Sequence, residues 1–539
     1  MVAEAVPLKP FHRAPCTSAP EKQASGLALE AAWLALLVLL WWRSALLFGP
    51  ASSYVTAFNP DSAIPVLMAR GPLHGLFSAY YWGQDRFGAW PYLLASGWSA
   101  LTGWVWSPER LAAVQTAWLF LGALALGSMK PVGWIAASAF VSALVLHPAV
   151  RRTVLSTSQP YAWQLTALIL SWWLVRQLLF GKRGVRWAAA ACGLAMVLAI
   201  WSSPISSVFL VGIIAIEICR TRQVSSSMET TSQLTPRAAV TVALLMGSVG
   251  AETLLRWAYH RAAWSSFGNS YETVWRGDRG HFQENAQKLL WIAFDGSWWV
   301  PLLAMAGVAI LGVLAARKRR SEQPAEMELA RESFFLAAGV CFMAFTNFFI
   351  CVGARHVRLN DYNDRYLCLT HVFLDMTRYL SAAGVALWLL RRRSSARWLP
   401  AALALLTLAV TFFCLPAPAR NPQYDQLRVF AAAVAKPGPS VLLGEYWSLY
   451  PLAALSPPDA LIPVSPDDEA GPRTPFNVPF LTQAKEVRVL HGGSRFLDSA
   501  GRPIQRLSQY GVSLEFVGPA SSQETNELVS LYREQGKYP

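Results

Sequence analysis

The sequence predicts an all-α polytopic membrane protein, with about 11–13 transmembrane helices and a small C-terminal α/β domain outside the membrane. Three observations lead there. Charged residues are only 14% of the 539, where a soluble domain carries about 25%, and mean hydropathy is +0.32. Apolar runs long enough to span a bilayer recur through the first 416 residues. The chain also carries 24 Trp, 26 Phe and 16 Tyr, an aromatic load suited to membrane–water interfaces. This composition excludes a disordered chain and argues against an ordinary soluble enzyme.

Residues 1–28 read as a polar cytoplasmic tail with Lys9, Arg13 and Lys22. The apolar run from Leu29 to Phe48 is too long for a signal-peptide core and ends in Phe48-Gly49-Pro50, so it reads as a first span. The membrane domain then covers 29–416. Its apolar runs lie near 29–48, 89–105, 110–128, 132–147, 162–180, 187–201, 204–219, 237–258, 289–316, 334–352, 366–390 and 397–416. Basic clusters set the orientation. Lys182, Arg183 and Arg186, the pair Arg220 and Arg222, the run Arg317 to Arg320, and Arg391 to Arg393 should be cytoplasmic. The segments 49–88, 259–288 and 353–365 then fall outside. A parity conflict remains. If every run between 89 and 160 crosses, Arg151 and Arg152 or another basic loop land on the wrong side, so one of these runs is expected to be re-entrant or interfacial.

From 417 to 539 the composition turns polar, with short β-type runs at 440-SVLLGEYW, 486-EVRVLHGG and 512-VSLEFVG. The last piece, 522-SQETNELVSLYREQG, reads as a helix. This extracytoplasmic domain shares a face with the long loop 49–88.

The net charge of +14 comes from basic clusters between apolar runs, which membrane topology explains without nucleic acid. Anionic lipid and lipid-linked phosphate are the polyanions expected as partners. The seven Cys form no CxxC pair and read as buried thiols, with neither a zinc site nor a disulfide framework. There is no Walker loop, no GxGxxG after a strand, no HExxH and no GxSxG.

The first outside loop holds two carboxylates, Asp61 and Asp85, among aromatic and apolar residues. Acids at a membrane face are costly to hide and are often functional. The plain alternative for Asp61 is a helix N-cap. Pro65 bears on this. With Asp61 as cap, Pro65 would be the fourth helical residue and would delete a backbone bond; with Ser62 as cap it falls in the first turn, where no donor is needed. Ser62 is therefore the expected cap, and Asp61 is freer for chemistry. Asp85 is expected either to help at a site or to pair locally with Arg86.

The pattern Asp61-Ser62-Ala63, Leu67-Met68-Ala69, then Tyr81-Trp82-Gly83-Gln84 and Phe87-Gly88 resembles the first periplasmic loop of bacterial GT-C-type glycosyltransferases. These are relatives of the protein mannosyltransferases and the lipid A aminoarabinose transferase. Arg365-Tyr366-Leu367 and Glu445-Tyr446-Trp447 resemble two further elements of that class. The resemblance implies that an aspartate in this loop is the catalytic base, here Asp61, and that the donor is a polyprenyl-phosphate sugar. Where the commoner form has an acid after the aspartate, this chain has Ser62, and Asp85 follows the Gly-Gln. Asp85 is taken as a catalytic helper. Trp82, Gln84, Arg358, Arg365, Tyr366 and Tyr446 are taken as substrate-binding. No metal ligand and no cofactor is assigned, and the reading leaves room for a divalent metal.

The chemistry suits these residue types. Sugar transfer needs a base for the acceptor hydroxyl, and a phosphate leaving group needs cations rather than acid help. In 353-GARHVRLNDYNDRYL, Arg365 at the lip of the next span is the expected phosphate contact, because a guanidinium binds phosphate oxygens in pairs. His356 reads as a satisfied loop residue. His260, Arg261, Glu272, Arg276, Asp278, Arg279, His281 and Glu284 read singly as solvated surface. Asp295 is an intramembrane acid near Trp298 and Trp299. Trp201-Ser202-Ser203-Pro204 reads as a tight turn.

The expected function is an integral-membrane glycosyltransferase of a bacterial plasma membrane. It would act on its outer face with a glycan, lipid or protein acceptor. The rivals are a transporter or flippase of lipid-linked saccharides, and a non-catalytic envelope-assembly protein. A transporter predicts charged residues along the spans and inverted repeats. The spans read as mostly clean, and no repeat is visible.

Overall fold

The computed structural model describes residues 19–54, 58–70, 78–82, 87–129, 131–157, 160–180, 185–224, 228–261, 278–294, 299–316, 324–390, 399–435, 440–466, 477–484, 486–491, 494–519 and 529–534. Of the residues singled out above, Lys9, Arg13, Gly83, Gln84, Asp85, Arg86, Lys182, Arg183, Glu272, Arg276, Asp295, Trp298, Arg317 to Arg320 and Arg391 to Arg393 lie outside them.

The membrane part runs α1 (Ala19–Leu47), α2 (Pro60–Arg70), α3 (Trp90–Thr102), α4 (Pro108–Gly127), α5 (Gly133–Leu146), α6 (Pro148–Thr153), α7 (Tyr161–Phe180), α8 (Val185–Ser202), α9 (Ser206–Val224), α10 (Met228–Arg261), α11 (Phe282–Phe294), α12 (Trp299–Ala316), α13 (Pro324–Gly353), α14 (Arg355–Leu359), α15 (Cys368–Leu390) and α16 (Leu399–Cys414). Seven of these helices, α1, α4, α8, α10, α12, α13 and α15, are long and apolar enough to cross a bilayer, and α5 and α16 are shorter apolar helices. Two more, α7 and α9, pack among them. Packing explains their lower hydropathy: Gln164, Thr166, Ser171 and Arg176 of α7 are all buried inside the bundle, away from lipid.

The parity conflict is resolved at α3. At 13 residues it is about as short as α5, about 20 Å, but unlike α5 and α16 it is not one of the shorter apolar helices among the described residues. It lies on α2, with Ser99 Oγ donating to the Ala69 carbonyl (3.4 Å), and Trp106 Nε1, from beyond its end, donates back to the Ala95 carbonyl of α3 itself (2.9 Å). Leu94, Trp98 and Leu101, at helical spacing, stay 67%, 55% and 86% exposed. Such a face suits a helix lying in the bilayer surface. With α3 not crossing, the basic runs beginning at Lys182, Arg317 and Arg391 follow spans that end at one face of the bundle. Arg151 and Arg152 stand at the other face.

The spans are not clean. Arg176 of α7, Glu217 and Arg220 of α9, and Glu332 of α13 form a buried quartet. Arg220 Nε meets Glu217 Oε2 at 2.5 Å, Arg220 Nη1 meets Glu332 Oε1 at 2.5 Å, and Arg176 pairs with both acids. Trp172 Nε1 donates to Glu217 Oε1 (2.8 Å). Two cations and two anions cancel, which is how such charges persist away from water. The sequence reading missed this group because its members lie on three helices distant in sequence, and it took Arg220, which is buried here, for a residue of a cytoplasmic basic cluster.

The C-terminal part holds α17 (Pro422–Ala435), α18 (Tyr446–Leu455) and α19 (Val478–Gln483) with strands β1 (Ser440–Leu443), β2 (Leu461–Val464), β3 (Val487–Leu490), β4 (Arg506–Gln509), β5 (Val512–Pro519) and β6 (Val529–Glu534). They form one sheet in the order β2-β1-β3-β6-β5-β4, parallel among β2, β1 and β3 and antiparallel beyond. The helix expected within 522–536 is a strand where it is described. β6 fills the gap between β3 and β5, burying Val529 and Tyr532, and pairing on both edges overrides a local helical preference.

This domain docks on the membrane part through the first loop. Arg70, at the end of α2, donates to the carbonyls of Ala454 (2.6 Å), Ser456 (2.9 Å) and Ala453 (3.3 Å), capping the C-terminus of α18. Burial draws its guanidinium pKa down to about 10, so it stays charged at neutral pH. Tyr424 Oη donates to Glu109 Oε1 of α4 (2.6 Å), and Arg43 Nη2 to the Leu415 carbonyl (2.6 Å).

Candidate active site

Asp61 sits in the first turn of α2, at the face of the bundle that carries the C-terminal domain. The cap of this helix is Asn59, not Ser62. Asn59 Oδ1 accepts from Ser62 N (3.1 Å), the third helical residue, and Pro60 takes the first position. Pro65 therefore lies inside the helix and has no N–H for the carbonyl of Asp61, four residues back. Tyr81 supplies the missing donor: its Oη donates to the Asp61 carbonyl at 2.7 Å. The first loop thus fixes the backbone of Asp61 from outside the helix.

The carboxylate faces two groups from distant parts of the chain. Arg365 Nη1 stands 3.5 Å from Asp61 Oδ2, and Tyr446 Oη donates to Asp61 Oδ1 at 3.4 Å. Side-chain exposure is 14% for Asp61 and 32% for Arg365. Charged hydrogen bonds are commonly about 2.7–2.9 Å, so this pair is drawn together but not closed.

Arg365 is held from behind. It lies in a 3-10 turn, Asp364–Leu367, opened by Asn363 Oδ1 accepting from Arg365 N (3.1 Å). Its guanidinium lies over the Tyr366 ring, 5.0 Å from the centroid, and its Nη2 donates to Tyr366 Oη (3.0 Å). Tyr366 Oη shares a hydrogen bond with His356 Nε2 (2.8 Å). His356 is thus satisfied, as expected, and steadies the residue that steadies Arg365. Ahead of the turn, Asp361 and Tyr362 have φ of 50° and 53°, a left-handed conformation that costs non-glycine residues about 1–3 kcal/mol each. This reversal lets α14 and the 3-10 turn lie side by side.

Arg358 goes elsewhere. Its Nε donates to Asp278 Oδ2 (2.5 Å), whose other oxygen meets His281 Nδ1 (2.9 Å). Asn285 Nδ2 also reaches Asp278 (3.5 Å), and Tyr362 Oη donates to Asn285 Oδ1 (2.7 Å). Asp278 is therefore a buried anchor, not the solvated residue expected. The hydrogen bond from Arg358, supported by His281 and Asn285, holds its carboxyl down at about 2.

Trp82 is buried in the main apolar core. The loop around it rests on the α8–α9 turn. Trp201 Nε1 donates to the Ala79 carbonyl (2.9 Å), and a Cβ at Gly88 would fall 2.2 Å from the Trp201 carbonyl oxygen. Trp201 and Ser202 close α8 and the turn falls at 203–205, so that Trp201, at the turn's edge, carries the first loop. Tyr80 Oη donates to Glu252 of α10 (3.1 Å). No group of three or more His, Cys, Asp or Glu among the described residues is placed to hold a metal ion.

The structure thus brings together Asp61, Arg365, Tyr366 and Tyr446 of the residues singled out. It adds Asn59, Tyr81 and His356 as their supports. Tyr81 lay in the quoted motif, yet only the position of Pro65 inside the helix reveals what it does.

No family model and no curated protein matches this chain. Solved structures do. ArnT from Cupriavidus metallidurans bound to undecaprenyl phosphate is similar at a TM-score of 0.52 and 12% identity, over 94% of this chain and 98% of that one. The archaeal oligosaccharyltransferase AglB from Archaeoglobus fulgidus, in complex with an inhibitory peptide and a dolichol-phosphate, is similar at 0.39 and 13%, over 85% and 69%. The likeness to ArnT is one of fold, and the fold is the membrane GT-C architecture that the first loop predicted.

Proposed function

We propose that this protein is an integral-membrane glycosyltransferase that moves a sugar from a polyprenyl-phosphate donor to an acceptor hydroxyl or amine at the extracytoplasmic face of a bacterial plasma membrane. The observation that carries the reading is the meeting of Asp61, Arg365 and Tyr446 at one end of the bundle. An acid suited to take a proton faces a guanidinium suited to hold a phosphate. The fold it shares with ArnT bound to undecaprenyl phosphate supports the donor class.

In this mechanism Asp61 accepts the acceptor's proton as its oxygen or nitrogen attacks the anomeric carbon. The bond from that carbon to the phosphate oxygen breaks, with inversion, and its electron pair leaves on the lipid phosphate. Arg365, oriented by Tyr366, holds the phosphate as its charge grows. Tyr446 orients the carboxylate and brings the C-terminal domain to the acceptor side. Gln84 is assigned to substrate contact and Asp85 to assistance by resemblance, and Trp82, buried in the apolar core, is left out. Arg358 is left out, since Asp278 already engages it.

The test is transfer from a polyprenyl-phosphate sugar by the purified protein and its Asp61→Asn variant. Loss of a general base typically costs about 10²–10⁴ in rate, so the variant should lose at least about a hundredfold while donor affinity stays within about threefold. Undiminished transfer by Asp61→Asn would remove Asp61 as base and the mechanism with it.

A further inference from the structure

Arg151 and Arg152 are the basic pair that the orientation rule does not account for, since they stand at the face opposite the other basic runs. Their helix, α6, packs against α15 and against the 3-10 turn that carries Arg365. The turn sends its two charged residues to different partners. Arg365 meets Asp61, whereas Asp364 Oδ1 meets His371 Nε2 at 3.1 Å. The His371 ring stacks on that of His147, centroids 4.2 Å apart, and His147 lies one helical turn before Arg151. Charges on Arg151, Arg152, His371 and Arg378 all act on this His147–Asp364 group.

The cluster has donors to spare. His147 Nδ1 and Arg151 Nε are buried and make no hydrogen bond among the described residues. Buried polar atoms of this kind are rarely left unmatched in native proteins. The nearby carboxylates are already engaged, Asp364 by His371 and Asp375 by Arg378 (3.0 Å). The position is membranous as well as basic. Arg152 is exposed, and so is Leu146 just before His147, at 41%, where α6 meets the start of α15. Exposed charge beside exposed leucine at the end of a bundle marks the depth of lipid headgroups.

We propose that His147, Arg151 and Arg152, backed by His371 and Arg378, form a second anion site that takes the phosphate monoester headgroup of a membrane lipid. It lies on the far side of the 3-10 turn from the Asp61–Arg365 pair. Arginine forks supply paired donors to phosphate oxygens, and the His147 ring adds one more. The site stands whether or not the protein transfers sugars.

The experiment is native mass spectrometry of the full chain in detergent with dihexanoylphosphatidic acid, a short-chain phosphate monoester lipid. Wild type is expected to bind two molecules, one at each site. Arg151→Gln/Arg152→Gln and Arg365→Gln should each bind one. Arg152→Gln alone, at an exposed position, should weaken binding at this site about tenfold and serves if the double variant does not fold. Failure of the Arg365 phosphate contact reads differently: wild type would bind one molecule, Arg365→Gln would not change it, and Arg151→Gln/Arg152→Gln would abolish it. Occupancy of Arg151→Gln/Arg152→Gln equal to that of wild type would overturn the proposal. Inorganic phosphate binding as tightly as the lipid at this site would overturn its assignment to a lipid.

Discussion

At Pro65 the helix lacks a donor, and the protein answers from another segment. The sequence argument expected the chain to avoid the loss by capping at Ser62. Instead Asn59 caps, Pro65 falls inside the helix, and Tyr81 donates to the Asp61 carbonyl. The acid itself was legible, because a carboxylate in an apolar loop at a membrane face stands out. Its partners were not, because Arg365 and Tyr446 reach it only through the folding of distant segments. Tyr81→Phe should cost about 1 kcal/mol, the usual worth of such a bond. In a Pro65→Ala background the helix regains its own N–H, so the same change should cost markedly less. Thermal unfolding of the four proteins in one detergent measures this. Equal costs in the two backgrounds would show that Tyr81 does not stand in for the missing donor.

The elements around Arg365 show a division of labour along one short helix. On α14, His356 turns to Tyr366 and the candidate site, while Arg358 turns to Asp278 and fastens the segment leading into α11. From sequence alone His356 read as a satisfied loop residue and Arg358 as a substrate contact, and the buried acid that takes Arg358 read as surface. This anchor has a pH signature. Asp278 titrates at about 2 in the folded protein, below the ordinary carboxylate value of about 3.9. A depressed carboxylate stabilises fully above its ordinary value and loses that contribution as pH falls through the folded one. Hydrogen–deuterium exchange over 278–294, corrected for intrinsic rates, should show protection falling between about pH 4 and 2 in wild type. Asp278→Asn should show lower protection that does not vary over that window. Identical profiles would place the anchor elsewhere. The misread strand β6 teaches the same lesson: its sequence favours a helix locally, and only the open place between β3 and β5 makes it a strand.

Across the whole molecule, the class of fold was legible because crossing a bilayer demands long apolar runs, and these dominate the first 416 residues. The parity conflict was legible too, but its resolution was not. The run that does not cross, α3, is about as short as α5 but less apolar, and it is set apart by its seat on α2. The buried Arg–Glu quartet was hidden by its dispersal over three spans. What the sequence could not order in space is the junction itself, where Arg70 fastens α18 to α2 and so carries Tyr446 to Asp61. The most direct measurement of the account is a structure of the full chain with a polyprenyl-phosphate sugar bound. It should place the donor phosphate on Arg365 and leave the Asp61 carboxylate within hydrogen-bond reach, about 2.6–3.2 Å, of an atom positioned to attack the anomeric carbon. A donor bound with its anomeric carbon away from Asp61, and Asp61 still paired with Arg365, would contradict it.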